Sequence, residues 1–290
     1  MNGLLVIDKP GGMTSRDAVN RVQKWFPKKT KIGHTGTLDP LATGVLVVCV
    51  GQATRLADYV QAMGKSYASR FRLGATSATD DADGEITETP NARIPTREEI
   101  ESALSRFVGV IEQVPPAVSA LKVEGRRAHD LVRQGAEVKL AARPVRIEAI
   151  RVTGYEWPWL DVEVDCGKGT YIRSIARDLG AALGCGGLVQ TLRRTRVGPF
   201  TTEQGVGLEV DPASVKLLPM AEAVAGMARV TFDAERVRKF SNGQLFRIGG
   251  ELPRVSVTSP IAVFDESGRL VGIANQHEGG SIRPEVVFKE

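Results

Sequence analysis

A chain of 290 residues that is 42% hydrophobic can bury one large core, or a large one and a small one. Its 38 Lys+Arg against 34 Asp+Glu leave a formal charge of +4, too slight a total to signal a nucleic-acid partner by itself. Three scattered cysteines, Cys49, Cys166 and Cys185, argue against a disulfide framework and against a zinc site. With no apolar run of membrane-spanning length and no basic-then-apolar leader, the expectation is a reduced, cytoplasmic protein with no membrane partner.

Leu4 to Ile7 is a short apolar strand, stopped by the turn Lys9-Pro10-Gly11-Gly12. Further on stands Gly33-His34-Thr35-Gly36-Thr37-Leu38-Asp39-Pro40-Leu41-Ala42-Thr43-Gly44, a loop rich in glycine and threonine. Ordering its glycines costs conformational entropy. Pro40 biases Asp39 toward extended backbone and has no donor of its own. Asp39 therefore reads either as a nucleophile or general base held on a stiff loop, or as the cap of a structural turn. Val45 to Val50 is continuously apolar, which suits a strand buried on both faces, with Cys49 a small buried hydrophobe inside it.

After Gly51, Ala53, Leu56, Ala57, Val60 and Met63 recur at helical spacing. The period then drops to two: Tyr67, Ser69, Phe71 and Leu73 share one strand face, with Arg70 and Arg72 on the other. Asp80 to Gly84 is an acidic turn. Thr96 with Glu99 makes a capping box ahead of the stripe Ile100, Ala103, Leu104 and Phe107, and Gly109 ends that helix. Leu160, Val162, Val164 and Cys166 alternate with acids in a half-buried strand. From Thr170 a helix turns Ile172, Ile175, Ala176, Leu179 and Leu183 inward, with Arg173 and Arg177 together on another face. Helices interleaved with strands of such varied type predict an α+β fold with a mixed, largely antiparallel sheet.

Charge is unevenly spread. Residues 120–196 carry 14 Lys/Arg against 9 Asp/Glu, whereas 231–290 balance at 8 and 8. The middle of the chain could gather phosphate contacts, although a solvated surface would carry the same charges. A boundary is expected near residues 225–232. Beyond it, Val255-Ser256-Val257, Ile261-Ala262-Val263-Phe264 and Leu270-Val271-Gly272-Ile273-Ala274 read as a small β-rich module.

The string Gly33 to Leu46 resembles that of the TruB family of tRNA pseudouridine synthases. The likeness continues in family order from residue 3 to about residue 205. Leu5 to Ser15 resembles the family's Lys-Pro motif, Lys65-Ser66-Tyr67 its tyrosine strand, Gly167 to Ile175 its later active-site motif, and Leu192-Arg193-Arg194-Thr195 the motif that closes the pocket. The resemblance implies a pseudouridine synthase catalytic domain over 1–229, with an RNA-gripping insertion at 115–143. Asn242-Gly243-Gln244, Asp265 to Gly272 and Arg283 to Phe288 are similar to a PUA domain, which implies an RNA-binding module over 230–290 that meets the acceptor end of tRNA.

Carried onto this sequence, the resemblance implies that uridine 55 of the T-loop is isomerised by a monomer, with tRNA as partner and no guide RNA. Asp39 is then the catalytic carboxylate, through attack on C1′ or an assisted elimination, and Arg173 its counter-ion. Tyr67 stacks on the base, Tyr171 packs against sugar or base, Leu192 is an apolar wall, and His34 fills the place of the extruded base. Lys9 and Pro10 shape the floor. No metal, nucleotide or redox cofactor is expected: Gly167-Lys168-Gly169-Thr170 lacks the upstream glycine of a phosphate loop, since Glu163 stands there, and Asp80 to Gly84 lacks the downstream ligand of a calcium loop. That acidic turn is read as structural, or as meeting RNA through water.

The basic, glycine-interrupted insertion, with Ser119-Ala120-Leu121-Lys122 and Arg126-Arg127, is expected to move when no RNA holds it. Val118 and His129 depart from the tyrosines of many relatives. The insertion and the short N-terminus favour a stand-alone enzyme over a guide-RNA-dependent subunit. A dispensable-catalysis RNA chaperone is the reading from a different class.

Overall fold

The computed structural model describes residues 1–119, 140–246, 260–276 and 281–289, with the backbone alone of 122–123, 126–127, 247 and 277. The first part of the chain forms β1 (Gly3–Lys9), α1 (Ser15–Gln23), β2 (Ile32–His34), β3 (Thr43–Val50), α2 (Ala57–Ala62), β4 (Lys65–Leu73), β5 (Ala75–Ser77), β6 (Ile86–Glu88), α3 (Arg97–Ser105) and β7 (Gly109–Gln113). Then come β8 (Lys122–Val123), β9 (Arg126–Arg127), β10 (Arg143–Glu156), β11 (Trp159–Cys166), α4 (Ile172–Ala182), β12 (Gly187–Val197) and β13 (Phe200–Thr201). The last part forms β14 (Ala228–Phe232), α5 (Ala234–Ser241), β15 (Phe246–Arg247), β16 (Ile261–Asp265), β17 (Leu270–His277) and β18 (Ser281–Val287).

A nine-stranded sheet runs β1-β3-β12-β4-β11-β10-β7, with β2 and β13 paired off that path. Its ladders are antiparallel except β12 on β3, where Arg194 faces Gly44. The fold is α+β, as the sequence predicts.

Alternation decides where each strand's side chains go. On β4 and β11, Tyr67, Phe71, Leu73, Val162 and Val164 join one core with residues of α1, α3 and α4. Their other face is polar; there Arg70 meets Asp161 at 2.8 Å. Over residues 4–7 of β1 and 45–50 of β3 every side chain is apolar, because both faces are covered there. Leu5, Ile7, Leu46 and Val48 enter the first core, while Leu4, Val6, Val45, Val47 and Cys49 enter a second. The second core is shared with Ala262, Phe264 and Ile273 of a five-stranded sheet ordered β14-β16-β17-β18-β15, and with Phe288 just after β18. Hydrogen bonds reinforce that junction: Gln52 and Lys289 exchange two, at 2.8 and 2.9 Å, and Arg55 donates to the Val287 carbonyl at 2.6 Å.

Local signals set the helix starts. Thr14 with Asp17 and Thr96 with Glu99 close full capping boxes at α1 and α3. The expected helix over 53–63 is a 3₁₀ turn (Gly51–Leu56) followed by α2, and Met63 is already extended. The predicted start at Thr170 is corrected to Ile172, because Tyr171 is held extended. Gly180 lets α4 lie directly on β12: a Cβ there would sit 2.2 Å from Gly186 and Gly187 backbone. The expected strand Val255–Val257 lies outside the described residues. So does much of 115–143, including Ala120, Leu121 and His129.

Candidate active site

The Asp39 loop is held by bonds from four directions, which is how so glycine-rich a segment keeps one shape. Buried Ser15, in the first turn of α1, accepts from the Leu38 N–H at 2.7 Å and donates to the Leu38 carbonyl at 3.0 Å. Gly12 N–H donates to the Pro40 carbonyl at 2.9 Å. Lys9, wholly buried, spends its ammonium on the carbonyls of Pro10 and Met13, both at 2.8 Å, and of Pro40 at 3.5 Å. Burial pulls that ammonium down to about 8, the carboxylate of Asp39 opposing and the Arg194 guanidinium assisting. Arg194 enters from β12 and donates to the carbonyls of Val45 at 2.8 Å, Gly36 at 3.2 Å and Thr37 at 3.4 Å. Lys9 thus ties the turn after β1 to the Asp39 loop from below, and neither it nor Pro10 lines the cleft itself.

Asp39 emerges from this frame into a cleft of about 320 Å³, its side chain 35% exposed. Arg173, second residue of α4 and 4% exposed, reaches it at 3.0 Å. The same guanidinium meets Asp81 at 3.1 Å and donates to the carbonyls of Thr79 at 2.8 Å and Val118 at 3.1 Å. One cation thus serves two carboxylates. Burial raises the Asp39 carboxyl above the ordinary aspartate range; Arg173 pulls it down, and Asp81 pushes it further up. Asp81, 3% exposed, turns inward to Arg173, which gives the acidic turn of Asp80 to Gly84 a structural part. Three aspartates in four residues signal charge there. Nothing local distinguishes Asp81, which faces Arg173, from Asp80, which pairs with Arg177 at 2.9 Å.

Tyr67, Tyr171, Leu192 and Ile172 supply the cleft's flat and apolar walls, and Arg143, Lys65, Lys168 and Arg194 its cations. Burial raises both phenols, with Arg194 pulling Tyr67 the other way. His34 is not brought to the wall. It sits half-buried on β2, paired with Val48 of β3. Arg194 itself, 2% exposed, stands in the motif quoted for Leu192, yet its role is not evident from the sequence. Strand alternation sends Arg193 outward to Asp8 at 2.8 Å and Arg194 inward. A charged, aromatic-walled cleft around a half-buried carboxylate suits a flat polar ring set against a reacting carbon. Among the described residues no three His, Cys, Asp or Glu side chains are grouped to hold a metal ion, and no helix is long and apolar enough to cross a membrane.

Comparison with known proteins adds the family. The profile of the TruB family pseudouridylate synthase N-terminal domain matches residues 24–172, and that of the tRNA pseudouridylate synthase B C-terminal domain matches 173–210. The tRNA pseudouridine synthase B of Thermobifida fusca is 43% identical, across 99% of this chain and 98% of that protein. That of Mycobacterium bovis is 43% identical, across 99% and 96%. Among solved structures, an H/ACA RNP bound to a substrate RNA containing 2′-deoxyuridine superposes with a TM-score of 0.76 at 24% identity, covering 99% of this chain and 85% of that one. A Cbf5-Nop10-Gar1 complex does so with 0.75 at 25%, covering 99% and 85%. These two likenesses speak to the fold.

Proposed function

The chain belongs to the TruB family of pseudouridylate synthases, and from that premise we propose that it isomerises uridine 55 in the T-loop of tRNA, with Asp39 as the acting carboxylate. The observation that carries the assignment is the ion pair of Asp39 with Arg173 inside a cleft walled by tyrosines. Isomerisation breaks the bond from N1 to C1′, turns the uracil and forms the bond from C5 to C1′. The C5 proton leaves and N1 gains one, so atoms and charge balance. Asp39 serves by attacking C1′ or by assisting elimination, and both routes require it ionised. Arg173, paired with it at 3.0 Å, favours that form against the burial that raises its carboxyl. Tyr67 stacks on the extruded uracil, Tyr171 packs beside it, Leu192 closes the apolar side, and His34 enters the gap left in the RNA. The cost of extrusion, a few kcal/mol, is met by these contacts.

The chain acts alone as a monomer in the cytoplasm, without guide RNA. Residues 1–229 do the chemistry and 115–143 grip the RNA. Residues 230–290, a PUA-like module, meet the acceptor end; support comes from the separate five-stranded sheet that begins at Ala228. The deciding experiment compares wild type with Asp39→Ala on unmodified tRNA and on bare T-arm RNA, with no other protein or RNA present. Pseudouridine should form only with wild type. Undiminished product from Asp39→Ala would sink the assignment, and a requirement for a guide would sink the stand-alone form.

A further inference from the structure

Tyr171 stands at the N-cap of α4 in an extended conformation, φ −104° and ψ 111°, with no side-chain cap of its own. Gln113, the last residue of edge strand β7 and 2% exposed, holds it. The Gln113 Nε2 donates to the Tyr171 carbonyl at 3.1 Å, and its Oε1 accepts from the Tyr171 N–H at 2.8 Å. Facing residues of two strands exchange bonds in this way; here a side chain makes the exchange. The chain after Gln113 stays on α4. The Val114 carbonyl accepts from Ser174 Oγ at 2.8 Å and from Arg177 Nη2 at 2.9 Å, and the Val118 carbonyl accepts from Arg173. An ordinary N-cap serine or aspartate would satisfy helix N–H groups without tying the helix to β7.

We propose that Gln113 is a positioning residue for the reaction: its amide fixes where α4 begins, and thereby where the Arg173 guanidinium stands relative to Asp39. This rests on the reading of Asp39 and Arg173 given above. Arg173 lies two residues beyond the gripped backbone, and its guanidinium is shared among Asp39, Asp81 and two carbonyls. A shift at Tyr171 therefore lengthens the pair with Asp39 while the other three partners still compete for the same N–H groups. Misplacement of about 1 Å in such a pair is enough for a large loss of rate.

The test is Gln113→Met, which keeps length and bulk and deletes both bonds. With folding confirmed by thermal melt, kcat should fall about ten- to hundredfold, with KM within about twofold of wild type. The Asp39 carboxyl, followed by ¹³C NMR in the free protein, should titrate at a higher pH than in wild type, because Arg173 holds it down. The other groups that influence Asp39 or are influenced by it are Asp81 and Asp83 from the turn after β5, Lys9 from β1, Tyr67 from β4 and Tyr171 itself. Unchanged kcat and an unmoved Asp39 titration, with only a lower melting temperature, would reduce Gln113 to a structural residue and overturn the proposal. Should Gln113→Met not fold, Gln113→Glu, which keeps the acceptor and loses the donor, is measured identically. If wild type forms no pseudouridine the functional reading fails, and the titration alone decides for Gln113.

Discussion

Asp39 answers to two opposed demands. The chemistry proposed for it needs the ionised form, whereas burial in the cleft raises its carboxyl above the ordinary aspartate range. A raised value means that the folded protein holds this proton more tightly than the unfolded chain does. Ionised Asp39 therefore costs stability. The cost is absent below the ordinary aspartate value, sets in as pH rises past it, and is complete above the raised folded value. Asp39→Asn should accordingly form no pseudouridine and yet melt no lower than wild type at neutral pH, its advantage vanishing on acidification. A clearly lower melting temperature at neutral pH would contradict this. The same shift places the acid limb of wild-type kcat/KM, which reports the free enzyme, above the range of a free aspartate, with activity lost as pH falls; a limb at or below that range would be the contrary result. At this scale Asp39, Arg173, Tyr67, Tyr171 and Leu192 were legible, since each lies in a contiguous motif. Asp81 was not, because its importance depends on a partner 92 positions further along the chain.

Among the elements, the junction of β3 with β12 governs the loop. Gly44 adopts φ +98°, and a Cβ there would stand 2.2 Å from the Arg194 carbonyl oxygen and 3.0 Å from its carbonyl carbon and amide nitrogen. Both the backbone conformation and the closeness exclude a side chain. Gly44→Ala should cost roughly 3 kcal/mol in denaturant unfolding, combining strain with overpacking. It should also reduce activity among the molecules that remain folded, since Arg194 carries the carbonyls of Gly36, Thr37 and Val45. A cost under about 1 kcal/mol would show that the two strands can part cheaply. Periodicity made the existence of β3 and β4 plain. It could not show that a strand more than 140 residues away would lie parallel to β3, because pairing has no local signature.

On the scale of the molecule, the two sheets share a core, so their stabilities are coupled. All three tryptophans, Trp25, Trp157 and Trp159, lie outside the five-stranded sheet, on the side of the nine-stranded one. Phe264, 6% exposed, belongs to the five-stranded sheet. Phe264→Ala should remove about 3–5 kcal/mol and lower the unfolding midpoint seen by tryptophan fluorescence, although the substitution lies in the other sheet. A fluorescence midpoint equal to that of wild type would mean that the sheets unfold independently. The β-rich character of the last sixty or so residues was readable from their Val, Ile and Gly pattern. The face they cover was not.

By itself the sequence determined the identity and order of most elements, the capping boxes, the motifs around Asp39 and the likeness to one family, all of which reside in short stretches where period and residue type suffice. Tertiary structure alone decided which aspartate shares Arg173, which arginine of Arg193-Arg194 turns inward, that His34 stays off the cleft wall, and why β1 and β3 are apolar on both faces. Each of those outcomes depends on which distant surfaces meet, and therefore on burial and pairing that no local pattern encodes.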